Sequence, residues 1–148
     1  MELLIIAILL LLNGLFSMFE IALVSSRKSR LQEKANSGSH GAKTALFLLH
    51  EPEKILSAIQ VCITLVGIIS GAFGGIALAE DMVPFFKNIS FLNPYADVLA
   101  FTLVVGFITY FSLIIGELVP KTIALNNPER IAIALSPAMK IAGSVLYP

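Results

Sequence analysis

Gly116-Glu117-Leu118-Val119-Pro120-Lys121 is the stretch of this chain whose residue types and spacing can do chemistry. It puts a carboxylate and a helix-breaking proline inside an apolar run that starts near Val98 and is long enough to cross a bilayer. Pro120 has no N–H for the carbonyl four residues earlier, which belongs to Gly116. Glu117 sits beside that freed oxygen, and glycine adds no side chain to obstruct it. Two oxygens of high negative character form a half-site for a hard cation such as Mg²⁺, Ca²⁺, Mn²⁺ or Na⁺. In lipid, ionisable residues and unpaired carbonyls persist where protein or a water-filled cavity receives them. The motif predicts ion handling. Two structural readings stay open beside it: Glu117 can pair with Lys121 one turn on, and Pro120 can simply end a helix at the membrane surface.

Composition fixes the class of protein that must position these residues. The chain has 148 residues, of which 57% are hydrophobic and only 14% charged, with mean hydropathy +0.88. That is too apolar for an ordinary soluble domain and fits one all-α membrane domain over residues 1–148. Ten basic and ten acidic residues cancel, so no bulk attraction to nucleic acid is expected. The lone Cys62 can form no intrachain disulfide and reads as packing. Neither a His-Glu-x-x-His motif nor a phosphate-binding glycine loop occurs in the sequence, and no enzyme activity is expected.

Three apolar runs read as transmembrane helices: Leu3 to Val24, Ile55 to about Ala79, and Val98 to Val119. The first is followed at once by Arg27, Lys28, Arg30 and Lys34, and positive flanks mark the cytoplasmic side. The N-terminus is therefore expected outside a cell membrane. On that path nine of the ten Lys/Arg residues are cytoplasmic, and only Lys87 is external. Gly38 to Lys54 reads as an amphipathic or shallow re-entrant helix at the inner face. Glu80 to Asp97, with Pro84, Asn93 and Pro94, reads as an outer loop. After Pro128 the run is broken by Pro137 and Lys140, which favours a juxtamembrane helix at the inner interface over a fourth span. The apolar end at Tyr147-Pro148 suggests that the chain continues into a cytoplasmic region.

Polar residues inside the spans complete the candidate set. Asn13, Ser17 and Glu20 follow i, i+4, i+7 and form one stripe on the first helix. Interhelical hydrogen bonding explains such a stripe as well as ion lining does. Gln60, Thr64, Gly67 and Gly71 share a face of the second, where small residues permit close helix approach. The glycine density also predicts a bend between Ser70 and Gly75, which would let Ser70 and loosened carbonyls face a cavity.

These residues resemble a known family. Asn13-Gly14-Leu15-Phe16-Ser17-Met18-Phe19-Glu20, Gln60 through Gly75, and Gly116 through Lys121 are similar to the transmembrane domain of the CorB/CorC and cyclin M (CNNM) magnesium transport proteins. The resemblance covers essentially the whole chain and is nearest the haemolysin-like branch. It implies three spans with a juxtamembrane helix, a homodimer, and a partly dehydrated Mg²⁺ in a cytoplasm-facing pocket. It also implies a C-terminal region of paired CBS domains that bind ATP and gate transport. The family's cation site falls here on Ser17, the Gly116 carbonyl and Glu117. One departure matters: magnesium-binding relatives place asparagines near what are Ile63 and Gly67 here, leaving Thr64 and Ser70 as substitutes.

The expectation is thus a transporter domain exporting a divalent cation, Mg²⁺, with Na⁺ coupling implied by the resemblance alone. The metal ligands are Ser17, Ser70, Gly116 and Glu117, with Asn13, Glu20 and Thr64 behind them. The alternative is a non-transporting dimeric scaffold or sensor whose bound cation is structural.

Overall fold

The computed structural model describes residues 1–146, and among them the regular structure is helical throughout. Tyr147 and Pro148, on which the expectation of a continuing chain rested, lie outside the described residues. Three stretches are long and apolar enough to cross a membrane: α1 (Glu2–Ser25), α4 (Pro52–Lys87) and the segment Asn93–Asn126. That segment is a 3₁₀ turn (Asn93–Tyr95), α5 (Ala96–Leu113), a π-helical turn (Ile114–Leu118) and α6 (Val119–Asn126). Between the first two spans lie α2 (Lys28–Asn36) and α3 (His40–Leu48), and α7 (Pro128–Leu146) closes the chain. The protein is a multi-pass membrane domain. Its outward faces carry Leu4, Ile8, Leu11, Leu65, Ile68 and Phe107, all exposed, which suits hydrocarbon rather than water.

The core forms around α1. Phe16, Phe19 and Leu23 pack against Ile55, Ile59, Ile63 and Val66 of α4, Leu31 of α2, Leu48 of α3 and Met139 of α7. A second cluster joins Ala79 of α4 to Ala100, Val104 and Ile108 of α5. In a third cluster the small residues Ala22, Ala124 and Ala132 let α1, α6 and α7 meet.

Sequence expectations are refined at four places. First, the short helix expected within Gly38 to Lys54 is present as α3, and α2 precedes it unforeseen. Leu31 and Ala35 bury one stripe of an otherwise polar α2, Gly38 turns at φ 96°, and α3 starts from a Ser39 cap that accepts from the Ala42 N–H at 3.3 Å. Second, α4 runs on through Pro84 to Lys87, so the outer loop is shorter than expected. Met82, Val83 and Phe86 pack on the α4–α5 cluster, and that burial outweighs one lost hydrogen bond. Third, Ser70 to Gly75, where a bend was expected, lies inside continuous helix. The notches are filled instead, Gly74 by Ile108 and Ile6, Gly75 by Phe101 and Val105. Fourth, Pro120 does not end the third span, because the π turn carries the helix through it into α6.

The tail is one helix, as the reading of the sequence preferred, and it is not among the three candidate spans. It packs on α3, where Gly41 lies directly against Ile133. Lys140 reaches back over the Phe47 ring, 4.6 Å from its centroid.

Glu129, in the first turn of α7, ties α7 to α2. Its Oε1 accepts from the Arg27 backbone N–H at 3.2 Å, and its Oε2 lies 3.9 Å from the Arg30 guanidinium. Burial pushes the Glu129 carboxyl up, but N–H donors from its own backbone and Arg27, with the charges of Arg30 and Arg27, outweigh it and leave the carboxyl below its usual range. A depressed folded-state value means stability present above the ordinary value of 4.5 and lost as pH falls through the lower one. Glu129→Gln should therefore lower the thermal midpoint at pH 7, with the gap to wild type closing as pH falls below 4.5 and through the depressed value. A gap that persists in acid would contradict this assignment.

Candidate cation site

The site is built where α1 runs beside the π turn. In an α-helical register the Pro120 nitrogen would face the Gly116 carbonyl with nothing to donate. The chain answers by widening one turn, so the Val119 N–H donates to the Ile114 carbonyl five residues back. Turns of this kind recur at functional sites because they push backbone groups out of the regular ladder. The Gly116 carbonyl then receives Nδ2 of Asn13 from the neighbouring helix, at 3.4 Å. That is a long hydrogen bond, and the oxygen keeps much of its capacity to accept.

Glycine keeps this crossing close. A Cβ on Gly116 would lie 3.0 Å from Asn13 Nδ2, and a Cβ on Gly14 3.1 Å from Pro120 Cγ. The two helices run in the same direction, so depths match down the seam: Asn13 with Gly116, Gly14 with Pro120, Glu20 with Lys121 and Ala22 with Ala124.

Three buried polar atoms on the spanning helices have no hydrogen-bond partner among the described residues: Asn13 Oδ1, Ser17 Oγ and Ser70 Oγ. A helical hydroxyl in lipid has an easy partner in the carbonyl one turn back. Ser26, Thr44, Thr64, Thr122 and Ser136 each use it. Ser17 and Ser70 do not, although both are fully buried. Leaving such groups unsatisfied costs about 1–3 kcal/mol each, so oxygens held this way point to an occupant that supplies the missing partner. Neutral oxygens with one nearby carboxylate suit a hard, partly hydrated cation. Among the described residues no three His, Cys, Asp or Glu side chains gather as a metal cluster.

The charged residues stand at the end of this seam. Lys121 Nζ lies 3.8 Å from Glu20 Oε2 and 3.9 Å from Glu117 Oε2, and the three side chains are between a quarter and a third exposed. The Glu117–Lys121 pair weighed from the sequence is therefore present. Its second arm, to Glu20, went unread, because only the matched depth of two helices creates it.

Of the expected ligands, Asn13 and Gly116 touch, Ser17 lies on α1 between Asn13 and Glu20, and Glu117 follows Gly116 at the end of the seam. Ser70 is buried on α4, and no hydrogen bond joins it to the others. Thr64 stands apart: it is exposed, and its hydroxyl donates to the Gln60 carbonyl at 2.9 Å. Ile63 is core packing against α1. A Cβ on Gly67 or Gly71 would meet nothing within 4 Å.

The sequence matches the cyclin M transmembrane N-terminal domain over residues 4–148. The chain belongs to that family. Among similar proteins, UPF0053 protein sll0260 of Synechocystis is 49% identical over the whole chain, which covers 33% of that protein. UPF0053 protein YhdT of Bacillus subtilis is 28% identical over 99% of the chain and 32% of its own length. The polyamine export protein of Haemophilus influenzae is 31% identical over 97% of the chain and 33% of its own length. This cyclin M domain thus spans about a third of the length of the curated relatives it matches.

Proposed function

We propose that this cyclin M domain is the membrane-crossing part of a transporter that exports a divalent cation, Mg²⁺, from the cytoplasm. The observation that carries the reading is the set of buried oxygens on Asn13, Ser17 and Ser70 that lack a partner, together with a Gly116 carbonyl that accepts a long hydrogen bond from Asn13. Ser17 Oγ, the Gly116 carbonyl and Glu117 are the ligands, Asn13 Oδ1 and Ser70 Oγ are supplementary, and retained waters complete the shell. Thr64 has no place in it. Glu20 acts from the end of the seam.

The basic residues that cluster at one end favour an N-terminus outside the cell membrane and a site that opens inward. Na⁺ coupling and an ATP-binding pair of CBS domains belong to the same proposal, resting on family resemblance and on the greater length of the relatives.

A homodimer is supported by the Gly67–Gly71 face, which has open space where a partner helix can seat. Gly67→Leu should leave the fold intact and shift the detergent-solubilised protein from dimer to monomer, read by light scattering. A dimer that survives would place the interface elsewhere.

A second reading has specific support. The Haemophilus relative is named for polyamine export, and an ammonium already sits between Glu20 and Glu117 here. Liposomes holding the protein and a trapped Mg²⁺ indicator separate the readings. Mg²⁺ flux supports the proposal, spermidine flux without Mg²⁺ flux supports the second, and Mg²⁺ binding without flux identifies a scaffold.

A further inference from the structure

Lys121 is a charged group beside the proposed ligands that the ligand set leaves unexplained. Its ammonium lies almost equidistant from two carboxylates on different helices, Glu20 of α1 and Glu117 of the π turn. Charge-assisted hydrogen bonds close to about 2.7–2.9 Å, and both contacts here are near 4 Å. The ammonium is therefore shared between the carboxylates and locked to neither. Lysine suits this place as a compact charge on a flexible stem that can swing over several ångströms.

We propose that Lys121 is a tethered counter-cation, which neutralises Glu117 when no ion is bound and moves onto Glu20 when a divalent cation takes Glu117. The inference rests on the proposed cation site and says how that site is filled and emptied. Two carboxylates and one ammonium carry a net charge of −1. A divalent cation entering with the ammonium still on Glu117 would meet like-charge repulsion, which in a partly shielded site is strong at this range. Glu20 relieves it by giving the ammonium a second seat a short swing away. The same swing reversed expels the cation, so affinity stays low enough for release. Glu20 thus serves as a positioning residue that acts through Lys121, and it need not touch the ion.

A simple staple between α1 and α6 would use the same contacts, and the two roles predict opposite results. For the counter-cation, Lys121→Met tightens Mg²⁺ binding by on the order of tenfold, and Lys121→Arg, which keeps the charge, stays near wild type. Glu20→Gln weakens binding in the wild type but has no effect in the Lys121→Met background, because the seat matters only while the ammonium exists. Isothermal calorimetry with Mg²⁺ on the purified full chain reads all four variants, with Glu117→Gln as the control for the site. Thermal midpoints in EDTA confirm that each variant is folded. Equal or weaker binding by folded Lys121→Met, or a Glu20→Gln effect that persists without the lysine, overturns the inference alone. Wild type that binds no Mg²⁺ overturns the functional reading and the inference with it.

Discussion

Glu117→Gln is expected to weaken Mg²⁺ binding by at least about 100-fold, or roughly 2.8 kcal/mol, while the protein stays folded. The substitution keeps shape and removes the one full negative charge beside the Gly116 carbonyl. The neutral oxygens of Asn13, Ser17 and Ser70 remain, but a hard dication needs anionic oxygen to offset its lost hydration. Stability should change little, because the Glu117–Lys121 contact is long and about a third exposed, a class of pair worth about 0–1 kcal/mol. Lys121 also keeps Glu20 as a partner. Calorimetry on wild type and variant checks this, with thermal midpoints to confirm that both are folded. Affinity unchanged in the variant would remove Glu117 from the site.

Gly41→Ala is expected to have the largest effect on stability, about 2–3 kcal/mol, although it lies far from any ligand. A Cβ at Gly41 would run into the carbonyl oxygen of Ile133 and also crowd its side chain. The oxygen is backbone in the middle of α7, so relief requires the two helices to separate. Separation would in turn loosen Leu48 and Met139 from the core that seats α1. The contrast is Gly67→Ala, where an added methyl meets nothing within 4 Å and the midpoint should hold or rise slightly. Thermal unfolding in detergent compares them, and equal midpoints would contradict the close α3–α7 crossing.

The spans were legible because runs of about 20 apolar residues have few other fates. The Gly116–Pro120 break was legible from proline chemistry alone, since a missing N–H must leave a carbonyl seeking a partner. That partner was not legible. Asn13 lies 103 residues away, and only two helices running in parallel at matched depth bring it to Gly116. The same is true of Glu20 and Lys121, whereas Glu117 and Lys121 were readable as an i, i+4 pair.

Continuation through Pro84 and Pro120 was misjudged because local propensity says stop while packing says continue. Phe86 on the α4–α5 cluster and Ala124 against Ala22 hold the helix beyond each proline. α2 was missed for the opposite reason. Its apolar stripe is only Leu31 and Ala35, too little for a pattern, and its partners come from α1 and α3. The glycines were read from spacing alone, Gly67 and Gly71 as a packing face and the stretch to Gly75 as a bend. Gly74 and Gly75 admit neighbouring side chains, while Gly67 and Gly71 look outward, and sequence spacing carries no information on which side a neighbour stands.

The most direct test of the cation site is the anomalous signal of Mn²⁺, a divalent stand-in for Mg²⁺, in crystals of the full chain grown from lipid. The account predicts one peak at about 2.0–2.2 Å from the Glu117 carboxylate and the Gly116 carbonyl, with Ser17 Oγ in the same shell and Lys121 drawn toward Glu20. A peak bound only to surface carboxylates, with the Asn13–Gly116 seam unoccupied, would contradict it.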